Sequence, residues 1–178
     1  MKQTPEIIEN NKVIEIVSQY LDLTVTPFGN DVRTVVRVDK RGGMYNGNGT
    51  VYLLQMFSIE ELVNNRIGAY MVFLNKDDQA GFHTHGTRNE QELYIVMQGE
   101  GEYADRVGVT GTIRTQKIRK GSITAVKNNG FHSVKNTTTN PLIIFVITTN
   151  EPKYKFVATW KMKNHTLLMK LQNYLKII

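Results

Sequence analysis

Short runs of β-branched and aromatic residues, each closed by a turn rich in Gly, Asn or Asp, recur from residue 32 to residue 159, and nothing else in this chain restricts its fold so strongly. The runs VRTVVRV (32–38), VYLLQMF (51–57), AYMVFLN (69–75), ELYIVM (92–97), GTIRTQKI (111–118), SITAV (122–126), LIIFVITT (142–149) and KFVAT (155–159) read as strands. Branched and aromatic side chains suit a pleated, half-buried surface. Between them GGMYNGNG (42–49), NKDDQAG (75–81), QGEG (98–101), KNNG (127–130) and NTTTNP (136–141) carry residues that tolerate turn backbone. Many short strands joined in this way imply a mainly β sandwich or barrel. Only Ser58 to Arg66 interrupts, as a short helix capped by Ser58 with Glu61 completing a capping box.

Helices are expected at both ends. Thr4 suits an N-cap and Pro5 a first helical residue, and Val13, Ile16, Val17 and Tyr20 share one face of a helix over about 4–21. Leu167, Leu168, Leu171, Leu175 and Ile178 form an apolar stripe over about 164–178, with Lys170 and Lys176 off it. With 178 residues and no repeat or linker, the chain suits one domain, 1–178, with a core barrel over about 32–160. Leu93, Ile95 and Met97 lie on the face opposite Glu92, and LIIFVITT is apolar on both faces. Something must cover these strands, the terminal helices in part and a second subunit for the rest.

Composition narrows the function classes. The absence of cysteine excludes disulfides, thiolate metal sites and a cysteine nucleophile. No apolar run approaches the ~20 residues of a membrane span, and MKQTPEIIENNK lacks the apolar stretch of a secretory signal, so the expectation is a cytoplasmic protein without a membrane partner. The net charge is +6, but Lys and Arg are scattered, and even the group Lys117, Arg119 and Lys120 alternates with other residues. This describes a solvated surface rather than a nucleic-acid interface, and an anionic small-molecule substrate also fits.

The chain has four histidines. His83 and His85 stand at i and i+2, so on a strand both imidazoles leave the same face. After the loop Gly86 to Gln91, Glu92 opens the next strand, with Tyr94 and Val96 on its own face. If these strands form a hairpin, two imidazoles and a carboxylate converge from one sheet face, the donor set a borderline divalent metal requires. Downstream, His132 lies eleven residues after Gly121 and shares a strand face with Val134 and Asn136.

With these residues the chain resembles the cupin family. The family's first motif, H-x-H, a short spacer, E, six residues, G, is matched by His83, His85, Glu92 and Gly99. Its second is matched by Gly121, His132 and Asn136 in identity and spacing, and the two motifs span residues 83–136. The spacer between His85 and Glu92 is longer than is usual. Glu90 fits the shorter spacing but lacks a glycine at the right distance, so Glu92 is preferred. Asp77 stands where the family has an early glycine, and Lys127 and Asn129 replace a proline and a second glycine, all at turn positions.

The resemblance implies a cupin double-stranded β-helix, or jelly-roll, barrel with N- and C-terminal flanking helices. It implies one divalent metal ion, Fe, Mn, Ni, Cu or Zn, held by His83, His85, Glu92 and His132, and a homodimer. It further implies a metal-dependent enzyme on a small oxygenated organic metabolite, with dioxygenase favoured over isomerase, cyclase or lyase. The alternatives are a sugar- or metabolite-binding cupin without catalysis and a metal-free nucleotide-sugar epimerase or ketoisomerase. Glu90 and Tyr103 are the candidate acid–base groups. Tyr94, Arg88 and Phe131 are candidate substrate contacts, with core packing the other reading of Tyr94. Asn136 is expected to close a turn by hydrogen bonds, Gly99 and Gly121 to serve turns, and His165 to lie on the surface.

Overall fold

The computed structural model describes residues 4–62, 65–86 and 89–150. The expected strand at 155–159, the C-terminal helix over about 164–178, His165 and Arg88 lie outside the described residues. Helix α1 spans Pro5–Ser18, with the Thr4 hydroxyl accepting from the Ile7 amide at 3.3 Å. The strands are β1 (Arg37–Gly42), β2 (Thr50–Gln55), β3 (Gly68–Phe73), β4 (Gln79–Thr84) and β5 (Glu90–Gln98) in the first half. β6 (Glu100–Val107), β7 (Arg114–Arg119), β8 (Ile123–Lys127), β9 (Gly130–Asn136) and β10 (Leu142–Asn150) follow.

The strands form two antiparallel sheets, ordered β1-β2-β3-β10-β5-β8 and β4-β9-β6-β7. From β3 to β6 and from β7 to β10 the chain crosses between sheets at each connection, which is the jelly-roll arrangement. Alternation along each strand then sorts the side chains. Val51, Leu53, Ala69, Met71, Phe73, Leu142, Ile144, Val146 and Val96 from the larger sheet meet Ala80, Tyr103, Ile118 and Val134 from the smaller one. Tyr52, Leu54, Val72 and Ile143 point outward, where Val13 and Val17 of α1 cover them. The apolar outer face is thus covered in part by the N-terminal helix. Tyr20, expected on the helix face, lies beyond its end and is exposed.

Three local expectations change. The interruption after Ser58 is a single 3-10 turn, Ile59–Glu61, in which the Ser58 amide donates to Glu61 Oε2 at 2.8 Å. The run 32–38 becomes a strand only from Arg37, because Arg33 bridges back to Val25 instead. QGEG is not a turn throughout: Gly99 alone makes the turn, at φ 83° with a Cβ site 2.3 Å from the Pro141 carbonyl oxygen, and Glu100 already begins β6. Asp77, standing in for the family's glycine, keeps the left-handed backbone at φ 70°, which Asp tolerates, and pairs with Lys135 at 2.7 Å. Asn136 ties the end of β3 to the following turn, its amide donating to the Phe73 and Asn140 carbonyls at 3.2 and 2.9 Å.

Ile143 is fully buried beneath α1, whereas Val109 is 68% exposed. Ile143→Ala should destabilise the fold by about 2–5 kcal/mol and Val109→Ala by less than about 0.5 kcal/mol, as read from urea denaturation midpoints.

Candidate metal centre

A bulge decides which way the histidine pair faces. β4 pairs with β9 as Ala80 with Val134 and His83 with His132, and the register slips between these pairs across Gly81 and Phe82. The extra residue inverts the alternation. Ala80 points inward before it, and His83 and His85 point inward after it. The same Gly81 supplies the carbonyl that accepts from His83 Nδ1 at 2.9 Å. A carbonyl cannot donate, so the His83 proton sits on Nδ1 and the Nε2 lone pair is left for the interior.

Glu92 does not return beside the histidines in a hairpin. β4 belongs to the smaller sheet and β5 to the larger, so the carboxylate arrives from across the barrel. Along β5, Glu90, Glu92, Tyr94 and Val96 all point inward and are buried. Ligands from two facing sheets enclose a common point, which ligands from one face do not.

The geometry at that point is tight. His132 Nε2 lies 3.1 Å from His83 Nε2 and 3.3 Å from His85 Nε2. Glu92 Oε2 lies 3.0 Å from His85 Nε2, 3.3 Å from His132 Nε2 and 4.0 Å from His83 Nε2. One donor atom from each residue falls within 4.8 Å of all the others, and all four residues are buried. His85 Nδ1 faces Glu90 Oε2 at 3.3 Å, so a carboxylate oxygen stands at each ring nitrogen of His85. A proton held on Nδ1 by Glu90 would leave the His85 Nε2 lone pair for an ion, as the Gly81 carbonyl does for His83. Glu92 Oε2 is buried with no hydrogen-bond partner among the described residues. Donor atoms about 2.1 Å from a shared ion would sit about 3.0–3.4 Å apart when adjacent and about 4.2 Å apart when opposite, so the short distances and the 4.0 Å one between Glu92 and His83 fit a divalent cation.

Protonation agrees with ligation. Burial, followed by the neighbouring His132, pushes the His83 imidazole down to about 3. Burial likewise lowers His132, against the pull of Glu92. For Glu92 burial acts upward, but the attraction of His132 and His85 outweighs it and the carboxyl lies below the usual carboxylate range. Neutral imidazoles beside an anionic carboxylate are the ligating forms.

The other candidates take definite places. Glu90 lies behind His85, its carboxylate held by Arg66 Nε at 2.8 Å and Nη2 at 3.3 Å. This builds a carboxylate–imidazole pair that orients a ligand. Tyr94 is buried with its ring 5.0 Å from that of His132, and burial, then Glu92, raises its phenol well above the ordinary value. Tyr103 is 5.8 Å from His132; burial, then Asp105, pushes it up to about 12. Thr124 acts on that phenol from nearby but not in hydrogen-bonding geometry, and the buried hydroxyl has no partner among the described residues. Phe131 is not brought into the site. It follows the alternation of β9 to the outer face, where the Arg106 guanidinium lies 5.2 Å from its ring and 5.2 Å from that of Phe82. Tyr45, read from sequence only as part of a turn, stacks on His83 with ring centroids 3.8 Å apart.

Comparison with known proteins agrees with this fold. A family model described as Cupin matches residues 38–171. Among solved structures, a predicted oxalate decarboxylase from Thermotoga maritima is similar at 22% identity over 67% of this chain and 100% of that chain, with a TM-score of 0.58. CENP-C of Drosophila melanogaster, in its structure bound to CAL1, is similar at 10% identity over 80% of this chain and 99% of that chain, with a TM-score of 0.54. No curated protein matches the sequence.

Two outcomes follow from the site. His83 is held near 3 against an ordinary 6.5, so below the ordinary value the unfolded chain binds a proton that the folded chain refuses. The melting temperature of chelator-treated protein should therefore fall as pH drops from about 6.5 toward about 3, and a flat profile would mean hydrated imidazoles. Glu90→Gln removes the charge that orients His85 and should weaken metal affinity about tenfold in a chelator competition.

Proposed function

The chain belongs to the cupin family, and on that premise we propose that it is a metal-dependent enzyme acting on a small oxygenated organic metabolite. The observation that carries this reading is the buried meeting of three imidazole Nε2 atoms with Glu92 Oε2, which has no hydrogen-bond partner among the described residues. His83, His85, Glu92 and His132 would hold one divalent ion. Four protein ligands leave one or two positions on a five- or six-coordinate ion, enough for a substrate that chelates through adjacent oxygens.

A bound ion of this kind polarises substrate oxygens as a Lewis acid and, where the metal is redox-active, supports oxygen chemistry. The chain's own residues do the rest. Glu92 supplies the compensating negative charge, and the Nδ1 contacts of His83 and His85 aim their Nε2 atoms at the common point. Tyr103 keeps its proton at neutral pH, because its phenol is pushed up to about 12. It therefore serves as a hydrogen-bond donor to a substrate oxygen rather than as a base. Val96, Val134 and Ile118 keep the interior apolar, which strengthens each of these polar interactions.

Oxygen-dependent cleavage is the first reaction to examine, with oxygen-independent lyase chemistry next. The Thermotoga maritima neighbour, titled a predicted oxalate decarboxylase, supports including small dicarboxylates among the substrates. The test is elemental analysis of protein purified without added metal or chelator, followed by turnover of enolic, aromatic and dicarboxylate compounds with and without oxygen. One metal per chain, lost in Glu92→Ala, with turnover of at least one compound is the expected result. Ligand-induced melting shifts without turnover across the panel would instead favour a binding protein, and metal-free protein would refute the reading.

A further inference from the structure

We propose that Tyr45 is a positioning residue of the metal centre, holding the plane of the His83 imidazole and screening it from solvent. The proposal rests on the metal reading above. Its first support is the backbone. Tyr45 sits at φ 54° and ψ 41°, and Asn46 follows at φ 60°. The left-handed region is rarely adopted by a bulky side chain, and such conformations persist only where surrounding structure over-determines them and gather at functional sites.

The surrounding structure does over-determine this one. On either side of Tyr45, the Gly43 amide donates to the Gly49 carbonyl at 2.9 Å, and the Gln79 amide donates to the Asn48 carbonyl at 2.8 Å. Met44 packs against the inner core. Gly47 and Gly81 let the loop backbone lie directly on β4. A Cβ on Gly81 would stand 2.2 Å from the Tyr45 carbonyl oxygen, and one on Gly47 would stand 2.2 Å from the Gln79 carbonyl oxygen. The loop is therefore seated on the bulge that turns His83 inward.

What this framework delivers is a ring on a ligand. The Tyr45 and His83 rings are 3.8 Å apart and inclined by only 12°. Tyr45 is 38% exposed and His83 8%, so the phenol ring lies between the imidazole and water. The Gly81 carbonyl fixes which His83 nitrogen carries the proton but leaves the ring free to tilt about that bond. A parallel ring against one face removes the tilt. A tyrosine that served only to pack would not need the unfavourable backbone; glycine satisfies the turn better.

The test uses the full chain, Co(II) as the probe ion, and two variants. Tyr45→Phe keeps the ring, and Tyr45→Gly removes it while suiting the backbone. The measurements are Co(II) affinity by chelator competition, the visible absorption of the Co(II) form, and the melting temperature of metal-free protein. Y45F should match the unaltered chain. Y45G should bind Co(II) about tenfold more weakly with a shifted visible band, while its metal-free form melts at or above the unaltered temperature. Unchanged Co(II) affinity and spectrum in Y45G would overturn the proposal and leave the metal reading standing. A lower metal-free melting temperature in Y45G would also overturn it, by making the ring a packing residue. If the unaltered chain took up no Co(II), both readings would fall together.

Discussion

Four donor atoms pressed together in a dry interior are the constraint around which this barrel is arranged. Burying a carboxylate costs several kcal/mol, and the His83 Nε2 lone pair faces the same point. Nothing among the described residues relieves Glu92 Oε2 by hydrogen bonding. The arrangement is sensible as the inside of a coordination shell. Its demand for accuracy explains why the ligands stand on strands and at a strand end, since small displacements would remove the fit to a single ion.

Facing sheets meet that demand better than a hairpin. A hairpin would present His83, His85 and Glu92 from one surface and leave the other side of the ion to solvent. Here β4 and β9 supply the imidazoles and β5 supplies the carboxylate from the opposite sheet. The distance between them is maintained by the apolar layer that joins the sheets, in which Phe73, Leu142 and Ile144 are fully buried. Packing of the core and geometry of the site are one problem. The interior that resists compression is the spacer that holds Glu92 near His85 and His132.

The residues of the site were legible because metal chemistry restricts them. An i, i+2 histidine pair and a third histidine and a glutamate at family spacing are few enough in kind to read along one dimension. The strands were legible where β-branched residues cluster, as in β10. β6 was not, because Glu100 and Gly101 look like the end of a turn when the neighbours that cover Gly101 are unknown. The bulge at Gly81 and Phe82 was equally hidden. Without it, Ala80 and Phe82 share a face and the histidine pair points outward, and no local pattern announces a one-residue slip. Glu90 illustrates a further limit. Its spacing marked it for the site, but only the position of Arg66 shows that the carboxylate is turned behind His85.

Tyr45 was illegible for a related reason. In GGMYNGNG the glycines and asparagines announce a turn, and a tyrosine among them has no periodicity to betray its role. Its meaning depends on two close approaches, Gly47 to Gln79 and Gly81 to Tyr45, that bring a loop from between β1 and β2 onto a strand of the other sheet. Local preference and final structure disagree here: the turn would be easier with glycine at this position, and the chain places a ring instead. Such conflicts are expected at functional positions, where stability elsewhere sustains a locally unfavourable choice. The ordered core of this barrel provides that margin, and a loop with two consecutive left-handed residues, Tyr45 and Asn46, lies against the outer face of a ligand.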